Sequence, residues 1–185
     1  AIKVLSAQGL VESRQGSGLY VRNRPIESVT RAIVLSVSPD SDAVERLFEF
    51  RRLLEVDAVR LAAERATPAQ IAQLEAALDR YEPDADGQPN WDRFSSVDNA
   101  IHTIIAAAAG NPYLEVMVAS VRGMMQDVVV LVADHPGSID EAMRHHRRIC
   151  AALAAHDGER AAQEMTQHVA YTASVVQHQI DIAEP

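Results

Sequence analysis

From Ile26 almost to the end of the chain, apolar residues recur every three or four positions, which restricts this part of the molecule to packed amphipathic helices. The stretch 41–66 shows the pattern most clearly, with Val44, Leu47, Phe48, Leu54, Ala58, Leu61 and Ala62 on one recurring stripe. Thr67-Pro68 is an N-cap followed by proline at the first helical position, so a new helix is predicted from there to about residue 81. The segment 82–89, rich in proline and acidic residues, is a loop. Further helices are predicted over 26–37, 91–109, 112–133, 138–155 and 158–177. The breaks fall at Gly110-Asn111, His135-Pro136-Gly137 and His156-Asp157. The expected class is all-α, a bundle of six or seven helices, and its alanine content suits close helix packing.

The first 22 residues follow a different pattern. Gly9 stops a helix end, residues 10–14 form a strand, Gln15-Gly16-Ser17-Gly18 supplies a turn, and residues 19–22 return as a second strand. Asn23-Arg24-Pro25 makes a linker. The chain opens in mid-pattern without methionine, so residues are expected upstream of it. Charge divides at the same place: residues 1–24 hold four basic residues and one acidic, +3, whereas the rest carries −12 of the total −9. A basic head on an acidic body implies different partners for the two parts, and the body is a poor binder of polyanions. The single cysteine, Cys150, excludes a disulfide framework and a multi-cysteine zinc site. With no apolar run near the roughly 18 residues that span a bilayer, the expectation is a cytoplasmic protein without membrane contact.

The candidate chemistry lies among the histidines, all of which fall between His102 and His178. Asp98 and His102 are four apart, on one helical face, beside Phe94, Val97, Ile101 and Ile105. His146 shares a face with Ala142, Met143, Ile149, Cys150 and Leu153; His168 shares one with Met165, Thr172 and Val175. These phases turn all four inward. One core histidine is usually a hydrogen-bonded structural residue; three from three helices, with an inward aspartate, make an N₃O₁ metal site. His145 falls on a more polar face with Glu141 and Arg148, and His178 reads as helix-end packing. Arg51 has two readings, an ion pair with Glu55 or a fork that grips a ligand carboxylate beside the metal.

The order of these features resembles the FadR-like branch of the GntR transcription regulators, whose effector-binding unit is the FCD domain. Residues 1–21 resemble the end of the recognition helix and the wing of that family's winged helix-turn-helix. Leu47-Phe48-Glu49-Phe50-Arg51-Arg52-Leu53-Leu54-Glu55 resembles the first effector-domain helix. Asp98-Asn99-Ala100-Ile101-His102 with Gly110-Asn111-Pro112 resembles the first metal motif, and His146 and His168 stand where the remaining ligands are expected. Ile101 replaces the family's usual phenylalanine, and His145 its common glutamate.

The resemblance implies a truncated winged helix-turn-helix over 1–24, a linker and short helix over 25–40, and an FCD effector-binding and dimerisation domain over 41–180. It implies a metabolite-responsive homodimeric regulator rather than an enzyme. Asp98, His102, His146 and His168 would hold a divalent metal, zinc or nickel, and Arg51 would bind a small organic-acid effector. Lys3, Arg14, Gln15, Gly16 and Ser17 would contact operator DNA. The competing reading is a metal-dependent hydrolase or oxygenase using the same centre. It lacks both the repeated Glu-x-x-His of ferritin-like di-iron enzymes and an obvious further inward carboxylate as general base.

Overall fold

A computed structural model describes residues 2, 11–14, 16–21, 30, 33, 42–85, 87–133 and 135–183. The hairpin pairs β1 (Val11–Arg14) antiparallel with β2 (Gly18–Val21), in a register that sets Val11 opposite Val21 and Arg14 opposite Gly18. The turn needs glycine: Gly16 has φ +79° and Gly18 φ +102°, conformations that side chains with a Cβ rarely adopt. Most of the predicted helix over 26–37, and the helix end before the hairpin, lie outside the described residues.

The bundle is built from α1 (Ala43–Arg65), α2 (Pro68–Leu78), α3 (Trp91–Ala108), α4 (Pro112–Met124), a short α5 (Gln126–Val129) with a 3-10 turn (Val130–Val132), α6 (Ser138–Ala154) and α7 (Gly158–Ala183). α1 packs along α7, and α7 along α6, as the most extensive contacts. Small side chains allow the approach: Ala58, Ala62, Ala63, Ala161 and Ala162 are buried, and a Cβ on Gly158 would already touch Arg60 at 3.5 Å. The helix starts follow the sequence. Thr67 and Gln70 complete a reciprocal capping box, Asn90 caps α3, and the Asn111 side chain accepts from the backbone N–H groups of Tyr113 and Leu114. Arg65 Nη1 donates to the Ala109 carbonyl at 2.7 Å and ties the end of α1 to the end of α3. Among the described residues, no helix is long and apolar enough to cross a membrane.

Two predicted helices end elsewhere. The helix expected over 112–133 breaks after Met124 and tightens to a 3-10 turn. The run Val128-Val129-Val130-Leu131-Val132 is poor in helix propensity because its branched side chains crowd the preceding turn. The Ser138 hydroxyl donates to the Val132 carbonyl and holds the break. The last helix runs to Ala183 rather than ending at 177, because buried Val175 and Val176 and partly buried Ile180 keep it on the core.

Candidate metal centre

Five helices send polar side chains to one point in the apolar core. Arg51 and Glu55 lie one turn apart on α1, Asp98 and His102 one turn apart on α3, Arg122 near the end of α4, His146 on α6 and His168 on α7. Candidate ligand atoms of Asp98, His102, His146 and His168 all fall within 4.8 Å of one another. The aspartate is 7% exposed and none of the imidazoles exceeds 1%. Asp98 Oδ1 is the common neighbour, 3.2 Å from His146 Nε2 and 3.6 Å from His102 Nε2. The rings crowd together, with His146 and His168 centroids 4.6 Å apart, and Phe94 stacks on His146 at 6.3 Å.

The other face of the cluster is an ion network. Glu55, 1% exposed, places Oε1 3.1 Å from Arg51 Nε and 3.8 Å from Arg122 Nη1, and Oε2 2.8 Å from His102 Nδ1. A carboxylate beside Nδ1 favours the proton there and leaves the His102 Nε2 lone pair facing Asp98. Arg122 Nη2 is bonded to Asp98 Oδ2. Asp98 therefore turns one oxygen to the histidines and the other to a guanidinium. Arg51 Nη2 lies 3.3 Å from His168 Nε2, a contact in which that nitrogen must be the acceptor.

Burial alone would raise both carboxyls, but their partners prevail. Arg51, then His102 and Arg122, hold Glu55 far below the usual carboxylate range. Arg122 and hydrogen bonds from His102 and His146 do the same for Asp98. Burial pushes His146 and His168 down, and for His168 the neighbouring His146, His102 and Arg51 add to the shift. Both imidazoles are therefore neutral at pH 7, the state a metal requires. His102 Nε2 and His146 Nε2 face only Asp98, and His146 Nδ1 and His168 Nδ1 are buried without a hydrogen-bond partner. Orphaned buried nitrogens cost about 1–3 kcal/mol each, a cost that metal coordination removes. The donor set fits a borderline divalent transition metal.

Asp98 alone of the cluster lines a cavity of about 1150 Å³, whose wall also includes Arg51, Arg122 and Thr30. The remaining sequence-predicted residues fall as follows. His145 is 6% exposed and lies 3.6 Å from Glu141 Oε1, on the expected polar face; Tyr171 and His168 flank its ring, and it stands outside the ligand cluster. His178 meets His135 instead of the cluster. Gly16 and Ser17 are exposed at the hairpin tip, Arg14 ends β1, and Lys3 and Gln15 lie outside the described residues. The ion-pair alternative for Arg51 is present, on an inward face. The expectation of no further inward carboxylate is corrected, since Glu55 sits at the centre of the network. Arg122 was also missed, although it falls in phase with Val118 and Met125, both buried.

A helical bundle with a buried Asp/His cluster, preceded by a small β-hairpin, is the architecture of a transcriptional regulator. The FCD domain model matches residues 46–171, and the chain belongs to the FCD-domain, FadR-like branch of the GntR transcriptional regulators. It is 27% identical over 175 residues to the HTH-type transcriptional regulator LutR of Bacillus subtilis, covering 91% of this chain and 78% of that protein. It is 26% identical over 167 residues to the galactonate operon transcriptional repressor of Escherichia coli, covering 86% and 70%. The solved structure of a Streptococcus agalactiae GntR protein superposes with TM-score 0.69 at 25% identity, over 94% of this chain and 78% of that one. Its relatives are transcriptional regulators and not enzymes, so the hydrolase or oxygenase reading gives way.

Proposed function

We propose that this regulator senses a small organic acid through a divalent metal held by Asp98, His102, His146 and His168. The observation that carries the reading is the buried cluster of these residues, with orphaned imidazole nitrogens, whose Asp98 lines a large cavity together with Arg51. When bound, the metal supplies a Lewis-acidic site for a carboxylate. Asp98 Oδ1 and the histidine nitrogens would hold it, while Glu55 orients His102 and Arg122 orients Asp98 from behind. Arg51, relieved of His168 Nε2, would turn its fork to the same carboxylate, a charge-assisted contact worth about 1.5–3 kcal/mol. The hairpin, with Arg14, Gly16 and Ser17, would be the wing that contacts operator phosphates, with Lys3 and Gln15 of the same basic segment contributing, in the cytoplasm, as part of a homodimer on paired half-sites.

The test is metal content and operator affinity. His146→Ala should lower bound metal far more than His145→Ala, and an organic acid should shift operator affinity of the wild type but not of Arg51→Ala. Equal metal loss in the two histidine variants would remove the assignment.

A further inference from the structure

The cavity wall carries two arginines, and the reading above uses only one to grip a ligand. Arg51 and Arg122 both reach toward Glu55 Oε1, at 3.1 and 3.8 Å, so their guanidiniums converge from α1 and α4 on one side of the cluster. Arg122 uses Nη2 on Asp98, yet its Nε is buried without a hydrogen-bond partner, and the side chain lines the cavity. The charges also do not close. With the histidine ligands neutral, Glu55 and Asp98 offset Arg51 and Arg122, and a divalent cation would leave two positive charges uncompensated in the core. Glu115, the remaining acid on the cavity wall, is exposed to water and is no counter-charge for the buried cluster.

We propose that Arg122 is a second anion anchor and that the effector is a dianion, a small dicarboxylate with one end at the metal and Arg51 and the other at Arg122. A monocarboxylate would leave one buried charge unmatched and the Arg122 Nε unpartnered; a dicarboxylate meets both. This inference rests on the metal-and-acid reading, and matched acids separate the two.

The experiment is calorimetric titration of the zinc-loaded protein with pairs that share an α-hydroxy-acid head and differ in the far group. Malate is set against 2-hydroxybutyrate, and galactarate against galactonate. In at least one pair the dicarboxylate should bind about tenfold tighter or more, the span of one charge-assisted hydrogen bond. Arg122→Gln, with zinc content measured on the same sample, should erase that preference, and Arg122→Lys should keep part of it. Equal binding within both pairs, or a preference that survives in Arg122→Gln, overturns the dianion proposal and leaves the metal-and-acid reading standing. Failure of all four acids to bind the zinc-loaded wild type overturns both. If Arg122→Gln loses zinc, Arg122→Lys decides, and a preference retained there in whole or in part at unchanged zinc content supports a charge anchor while its complete loss overturns one.

Discussion

Glu55→Ala removes the acid on which the ion network turns. The side chain is 2% exposed and faces Arg51 at 3.1 Å, His102 at 2.8 Å and Arg122 at 3.8 Å. Without it, two guanidiniums share the single charge of Asp98 in the core. Breaking a buried pair in this way costs about 3–5 kcal/mol, because a desolvated charge is left behind. For a domain of this size each kcal/mol lowers Tm by roughly 2–4 °C, so a fall of about 6–20 °C is expected. Glu55→Gln keeps the shape and an acceptor for Arg51 Nε and should lose less, about 1.5–3 kcal/mol. The control is an ion pair of the same length in water: Arg60 Nε to Glu159 Oε1 is 3.0 Å, with side chains 39% and 84% exposed. Glu159→Ala should cost less than about 1 kcal/mol. The assay is thermal and urea unfolding of the chelator-treated protein. If Glu55→Ala melts within about 2 °C of the wild type, or if the two alanine variants lose equal stability, the argument from burial is wrong.

Two other outcomes follow from the same core. Glu55 and Asp98 are held ionised in the fold, and His146 and His168 are held neutral. In all four cases the unfolded chain binds protons more readily, so metal-free stability is lost as pH falls. The loss should begin below the ordinary histidine value of 6.5 and steepen through the ordinary carboxyl values of 4.5 and 3.8; a Tm flat from about pH 7.5 to 4.5 would contradict this. Cys150 is buried, and desolvation, helped by Glu75, pushes its thiol up to about 12. A thiol reagent near pH 8 should leave the native protein unlabelled and react fully in urea, whereas fast native labelling would place the cysteine in a different environment.

The periodicity of single helices was enough to turn Asp98, His102, His146 and His168 inward, because each sits on a stripe whose other members are apolar. Glu55 and Arg122 were harder for a physical reason. An acid or an arginine on a helix is normally solvated, and its burial becomes affordable only when partners arrive from other helices. Those partners are 24 residues away for Arg122–Asp98 and 102 − 55 = 47 for Glu55–His102. No local pattern records such distances. The early break in α4 was a different miss: the apolar spacing continues past Met124, and the crowding of the valine run outweighs it.

Thr30 links the cavity wall to α4. This residue belongs to the stretch between hairpin and bundle, lines the cavity, and donates from Oγ1 to the Ser120 carbonyl on α4 at 3.4 Å. A Cβ on Gly123 would meet Thr30 at 3.7 Å, so glycine keeps the α4 surface low enough for that contact. Arg122, one residue before Gly123, carries the bond to Asp98. The same two turns of α4 thus face the acid cluster and the connector. On the proposed reading, a ligand would act on the hairpin only if it interacts differently with two arrangements of the chain around Thr30. Under the dianion proposal, an anion at Arg122 would act on the same segment of α4 that carries the Thr30 contact. The dianion proposal and the signalling route therefore depend on the same arginine.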